Sequence, residues 1–176
     1  IAIVGPGGAG KSHLANRIWQ IIGAEVFHLD TLLYNPGWKI IPVYDQEKIV
    51  TQLVDRPRWI ADGEHLPTQK LRFAHADTII FLDFPVLTRL RQLWLRSRLK
   101  GEARKDVAPG CDSGLSLFAL KWAVLYPLLH RRKTMRNLDS FMPTKKVYVF
   151  RNRREIDQFV KQIEDRECAN ASQAPL

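Results

Sequence analysis

The chain has 176 residues, nearly half of them apolar, and carries a formal net charge of +9 with its histidines neutral. That length suits one compact domain with a real core, and the absence of any run of about 18 apolar residues excludes a membrane-spanning helix. The positive excess points to an anionic partner, whether nucleic acid, a membrane surface or a polyphosphate ligand, without choosing among them.

Residues 1–4 form a short apolar run that stops at a glycine-rich loop, and no secretory leader is expected ahead of it. Leu14, Ile18, Ile21 and Ile22 then recur at helical spacing, which predicts an amphipathic helix over residues 11–22. Residues 25–29 read as a second strand ending at Asp30, and Asn35, Pro36 and Gly37 as a turn. Asp45 is a candidate N-cap for a helix carrying Ile49, Val50, Leu53 and Val54. Residues 58–61 and 78–82 are short apolar strands closed by Asp62-Gly63 and by Asp83. Strands apolar on both faces fit a buried parallel sheet. A helix is predicted over residues 86–99 with Leu87, Leu90 and Trp94 on its packing face, followed by a loop-like stretch over residues 101–114. Leu115, Phe118, Ala119, Trp122, Tyr126 and Leu129 mark the next helix by spacing. Residues 147–150 read as a fifth strand, and Ile156, Phe159, Val160 and Ile163 as a last helix. Strands alternating with helices predict a single α/β domain over residues 1–166 with a mainly parallel sheet, and a frayed tail over 167–176.

Gly5, Gly10, Lys11 and Ser12 satisfy G-x-x-x-x-G-K-[ST] in full, a pattern expected by chance in roughly one chain in a hundred of this size. A strand precedes it and a helix follows, the context in which such a loop cradles phosphates. Backbone N–H groups of Gly5, Gly7, Gly8, Ala9, Gly10, Lys11, Ser12 and His13 and the positive end of the helix then meet the phosphates. Lys11 supplies a point charge to the terminal phosphates and the Ser12 hydroxyl a ligand for Mg²⁺. Mg·ATP is the expected ligand. Asp62 and Asp83 both end strands and compete for the role of the acid that organises the metal, each being equally readable as a capping acid. In open parallel sheets ligands collect at the carboxyl ends of the strands, where Gly5, Asp30, Asp62, Asp83 and Arg151 fall.

Arg89, Arg91, Arg96, Arg98, Lys100, Arg104 and Lys105 crowd one segment opposed by Glu102 alone. Arg89 and Arg96 read as much like a solvated helix face as like ligands. Arg98 and Arg104 flank Gly101 and are the stronger candidates to close over a transferred phosphoryl group, since that chemistry is mostly charge neutralisation and positioning. Cys111 and Cys168 have no metal-ligand spacing, which favours a reducing, cytoplasmic setting and makes Cys111 a packing residue of the lid.

The loop, Leu29-Asp30, Pro36-Gly37-Trp38, Trp59-Ile60-Ala61-Asp62-Gly63, Leu82-Asp83-Phe84-Pro85, and Arg104, Asp106 and Gly110-Cys111-Asp112 run in the order seen in DNA topology modulation proteins. The chain resembles that family over almost its whole length, and the family in turn resembles adenylate kinases among the small P-loop kinases. The resemblance implies a five-stranded parallel sheet of order 2-3-1-4-5 and an Arg-rich lid over about residues 98–114. It places Asp62 beside the phosphate loop and so favours Asp62 over Asp83 for Mg²⁺. It gives Asp30 to the acceptor, as the group that binds or deprotonates its hydroxyl, and places Arg151 and Asn152 in the adenine loop. As an acid, Asp30 also suits a cap or turn before Thr31. Trp38 and Gly63 are candidates to shape the acceptor pocket, Trp38 by stacking on a ring or by plugging a small helical subdomain. His13, where Thr commonly follows the Ser, and Asp112, where Glu is more usual, depart from the family pattern.

The expected function is an ATP-dependent phosphotransferase acting on a small acceptor, either a nucleotide or a hydroxyl compound. The alternatives are a nucleotide-dependent nucleic-acid-binding or regulatory protein, motivated by the charge and the basic clusters over residues 131–136 and 145–154, and a simple NTPase.

Overall fold

Successive side chains of β1 (Ala2–Val4) point to opposite faces, and both faces are buried. The structure, a computed structural model, describes residues 1–98, 110–111 and 117–172. After β1 come α1 (Lys11–Ile22), β2 (Glu25–His28), α2 (Leu29–Leu33), a small antiparallel hairpin of β3 (Tyr34–Asn35) and β4 (Lys39–Ile40), and α3 (Val43–Val54). β5 (Trp59–Asp62), a 3-10 turn (Leu66–Thr68), α4 (Gln69–His75), β6 (Thr78–Leu82) and α5 (Val86–Arg98) follow. The described chain closes with α6 (Leu117–Leu129), α7 (Arg131–Phe141), β7 (Lys146–Phe150) and α8 (Arg153–Ser172).

The five sheet strands are all parallel in the order β2-β5-β1-β6-β7, which is 2-3-1-4-5 when only these strands are counted. Ala2, Val4, Ala61, Ile79 and Phe81 bury one face against Leu33, Val50, Leu53, Phe73, Tyr126 and Leu138 of the helices on that side. Ile3, Ile60, Ile80 and Leu82 bury the other against Leu14, Ala15 and Ile18 of α1 and Ile156, Phe159 and Val160 of α8. Each such Val, Leu, Ile or Phe contributes about 1.5–3 kcal/mol on burial, so the alternation fixes both register and layering. Among the described residues no helix is long and apolar enough to cross a membrane.

Several expectations need correction. Asp30 lies in the first turn of α2 instead of following the strand. α3 starts earlier than expected, with Pro42 at its N-cap, so Asp45 stands inside the first turn, where its charge favours the helix dipole. Leu87 and Trp94 do not form the packing face of α5: they are 81% and 45% exposed, while Arg89 and Leu93 are buried. Trp122 is only partly buried on α6, whose buried residues include Ala123 and Tyr126, and Leu129 is exposed. Helices α4 and α7 were not expected. α8 continues to Ser172 instead of fraying from Glu167. Arg104, Asp106, Asp112 and Leu115 lie outside the described residues.

Candidate active site

The glycine-rich loop expected to bind phosphates leaves β1 at Gly5 and enters α1 at Lys11. The first ladder bond of α1 runs from the Leu14 N–H to the Gly10 carbonyl at 3.0 Å, and no side chain caps the helix. The N–H groups of Lys11, Ser12 and His13 therefore precede the ladder, as the first N–H groups of any helix do. Gly8 and Gly10 take left-handed φ values of 78° and 86°, a region that glycine enters without steric cost. A Cβ on Gly8 would meet the Arg89 carbonyl oxygen and Leu93 Cγ, both at 2.9 Å, so α5 lies directly against the loop. The Lys11 ammonium bends back to donate to the Pro6 carbonyl at 3.2 Å. His13 is partly covered though more than a third exposed, and that partial desolvation followed by the charge of Arg17 holds its pKa below the ordinary value.

Parallel register carries the acids to the same edge. Ile3 and His28 both pair with Asp62 across the sheet. Asp62 is 4% exposed, and its Oδ1 lies 2.6 Å from His28 Nδ1. An ionised carboxylate only accepts, so in that state Nδ1 carries the proton. Asp83 accepts a fork from Arg131, Nε to Oδ1 at 2.8 Å and Nη2 to Oδ2 at 2.7 Å, with Arg151 Nε at 4.0 Å. The two competing acids thus differ: Asp62 faces an imidazole beside the loop, whereas Asp83 already holds a guanidinium. Among the described residues no cluster of three or more His, Cys, Asp or Glu side chains could hold a metal. A site of one hydroxyl and one acid, completed by phosphates and water, is what Mg²⁺ takes in nucleotide enzymes.

The residue that sequence reasoning missed is Glu64. Its Oε2 accepts the Gly5 N–H at 2.7 Å, and its Oε1 accepts the Tyr126 hydroxyl at 2.8 Å and the Thr134 hydroxyl at 2.5 Å. Gln69 donates to Glu64 at the carbonyl and at Oε1, and accepts from Asn137 at 2.9 Å. One carboxylate thereby ties the start of the phosphate loop to α4, α6 and α7. Burial and the charge of Glu64 raise the Tyr126 pKa, which keeps its hydroxyl a donor. The only signal available was an acid following Asp62-Gly63, which alone names no role.

The remaining expected residues are placed as follows. Asp30 is exposed in α2, and its charge adds to burial in raising the Tyr34 pKa. Trp38 has φ 59°, packs edge-on to Tyr34 at 5.5 Å, and donates its N–H to Cys111 Sγ at 3.3 Å. Cys111 donates to the Asn35 carbonyl and the Gly37 N–H bonds to the Gly110 carbonyl, so residues 110–111 dock on the β3–β4 hairpin. Gly63 is buried and gives α2 its approach to β5, since a Cβ there would lie 2.7 Å from Leu29 Cβ. Arg98 lays its guanidinium over the Trp94 ring at 3.8 Å. Asn152 accepts the Glu155 N–H at 3.0 Å and Glu155 accepts the Arg151 N–H at 2.7 Å, a reciprocal cap on α8.

His65 lends the site a pH dependence. Burial, then the charge of Arg72, pushes its pKa down to about 4. Unfolded His protonates near pH 6.5, so between about pH 6.5 and 4 the unfolded chain binds the extra proton. The stability is therefore full above that window and is lost as pH falls through it. His13 and His130, also held low, act in the same direction. Urea unfolding across this window is expected to show a shallower acid slope for His65→Asn than for the native chain; equal slopes would contradict the assignment.

Neither a protein-family model nor a curated protein matches this sequence. Among solved structures the chain is similar to a deoxyadenosine kinase from M. mycoides with bound dATP, at 14% identity and a TM-score of 0.56 over 98% of each chain. It is also similar to a shikimate kinase from Acinetobacter baumannii in complex with shikimate, at 14% identity and a TM-score of 0.57, over 96% of this chain and 92% of that one. At such identity the likeness establishes the fold, that of P-loop kinases.

Proposed function

We propose that the chain is an ATP-dependent phosphotransferase that moves the γ-phosphoryl group of Mg·ATP to a small acceptor. The observation that carries this reading is the uncapped start of α1, preceded by Gly8 and Gly10 in left-handed conformations and by a complete G-x-x-x-x-G-K-[ST] sequence. Backbone donors, a lysine and a helix dipole converge there, a donor set for phosphates. Ser12 and Asp62 would hold Mg²⁺, which supplies charge neutralisation between the β- and γ-phosphates when bound.

Lys11 swings from Pro6 to the terminal phosphates. Asp30 orients the acceptor hydroxyl and takes its proton late in the transfer, with Trp38 and Gly63 shaping that side of the pocket. Arg98 and Arg104 belong to the lid, where they neutralise the transferring group, and residues 151–152 border the adenine through their backbone. The resemblance to DNA topology modulation proteins supports the same kinase reading. Within the basic cluster over residues 131–136, Arg131 is already employed by Asp83.

Incubation with γ-labelled Mg·ATP and panels of nucleotides, nucleosides and hydroxylated metabolites tests the proposal. Label is expected in an acceptor, with ADP formation dependent on that acceptor. Acceptor-independent hydrolysis combined with DNA affinity that survives physiological salt would overturn it.

A further inference from the structure

Arg89, in the first turns of α5, is 1% exposed, and among the described residues its Nε and Nη1 have no hydrogen-bond partner. The acid whose charge reaches it is already engaged: both oxygens of Asp83 are taken by Arg131, with Arg151 4.0 Å away. What Arg89 does have is the face of Tyr126, with Cζ 5.7 Å from the ring centroid. A ring face attracts a cation but accepts none of its in-plane N–H groups. A buried charge without acceptors is poor packing, and an apolar side chain of that length would serve a purely structural role better. The backbone of the same residue is the wall against which Gly8 packs, so the unpartnered guanidinium belongs to the helix that flanks the phosphate loop.

From this we infer that Arg89 is an anion seat of the cleft, distinct from the phosphate loop, whose free N–H groups receive oxygens of a phosphoryl group. The inference deepens the phosphotransferase reading and rests on it for the identity of the occupant. The oxygens come either from the transferring group of the donor or from a phosphate that the acceptor itself carries. The sequence treated Arg89 as readily as a solvated residue; its burial is what changes that.

Orthophosphate serves as the probe, and thermal unfolding as the readout, since a ligand that binds the folded chain raises its melting temperature. The comparison is made in a Lys11→Ala background, which weakens the loop's own hold on phosphate. Lys11→Ala is expected to keep a phosphate-dependent shift that Lys11→Ala/Arg89→Met lacks, with affinity reduced roughly 10- to 100-fold, the worth of hydrogen bonds to a charged group. An equal shift in both proteins, or none in Lys11→Ala, would overturn the seat. Should the Met variant fail to fold, Arg89→Lys keeps the charge but not the planar donors, and about a tenfold loss is expected; unchanged affinity would overturn the seat equally.

Repeating the titration with a non-hydrolysable Mg·ATP analogue bound names the source. A phosphate shift that persists assigns the seat to the acceptor, one that vanishes assigns it to the donor, and either keeps the seat. Failure of the kinase reading is visible separately. A native chain that does not bind Mg·ATP, yet shows the Arg89-dependent phosphate shift, would lose the proposed reaction and retain the seat.

Discussion

Arg72→Ala is expected to lower the free energy of unfolding by roughly 3–5 kcal/mol, the cost of breaking a buried charged network from one side. Arg72 is 0% exposed, and its guanidinium holds three successive carbonyls: Gly63 at 3.0 Å, Glu64 at 3.4 Å and His65 at 3.2 Å. Burial pushes its pKa down to about 10, with Glu64 and Asp62 opposing, so it stays charged at neutral pH. Removing it leaves those carbonyls facing a cavity and loosens the turn that carries Glu64 to Gly5. Urea unfolding should show a lower midpoint at an unchanged slope. Arg72→Lys should recover less than half of the loss, because a point charge on a flexible stem cannot serve three acceptors in a plane. A loss under about 1 kcal/mol would show that the turn holds without the guanidinium.

The second large effect separates the two strand-end acids. Asp62→Asn is expected to cut Mg·ATP-dependent turnover roughly 10- to 100-fold, as loss of a metal-organising carboxylate does, while leaving stability within about 1 kcal/mol, since the amide can still bond His28. Asp83→Asn is expected to do the reverse. It leaves Arg131 facing a neutral amide, destabilises the fold by about 2 kcal/mol as a lost charge-assisted pair, and spares the metal dependence. Arg131 is 39% exposed on its side chain, so water offsets part of the loss. Turnover against Mg²⁺ concentration, with urea unfolding of the same two proteins, checks the pair. If Asp83→Asn alone shifted the Mg²⁺ dependence, the metal role would belong to Asp83.

The glycine-rich loop and the sheet were legible because their signals are local. A phosphate loop is a contiguous pattern, and the five strands are short apolar runs, so their order and the edge they share followed from motif and resemblance. Two of the three helices that enclose Glu64, α4 and α7, were not legible, for a physical reason. The buried residues of α4 are Gln69, Arg72 and Phe73, and those of α7 are Thr134 and Leu138. Their inward positions obey helical spacing, but most are polar, and a search for apolar periodicity passes over them. Gln69 and Thr134 are polar because they bond the Glu64 carboxylate, and Arg72 because it holds the carbonyls of the turn that carries Glu64. α5 shows the complementary error: its inward face is set by where Gly8 lets the helix approach, so Arg89 goes in and Leu87 stays out. Glu64 itself meets Gly5, Tyr126 and Thr134, three partners distant in sequence, and no spacing rule connects them.

The proposed reaction stands on Gly5–Ser12 holding the phosphates of Mg·ATP. Equilibrium titration of the native chain and of Lys11→Ala with Mg·ATP tests it most directly, provided that both unfold at the same midpoint in urea. Lys11 donates only to the Pro6 carbonyl in the described contacts, so its removal should not cost the fold. Saturable binding by the native chain is expected, with an affinity at least tenfold weaker, about 1.4 kcal/mol or more, for the variant. Equal affinity in the two proteins would place the nucleotide elsewhere than on this loop.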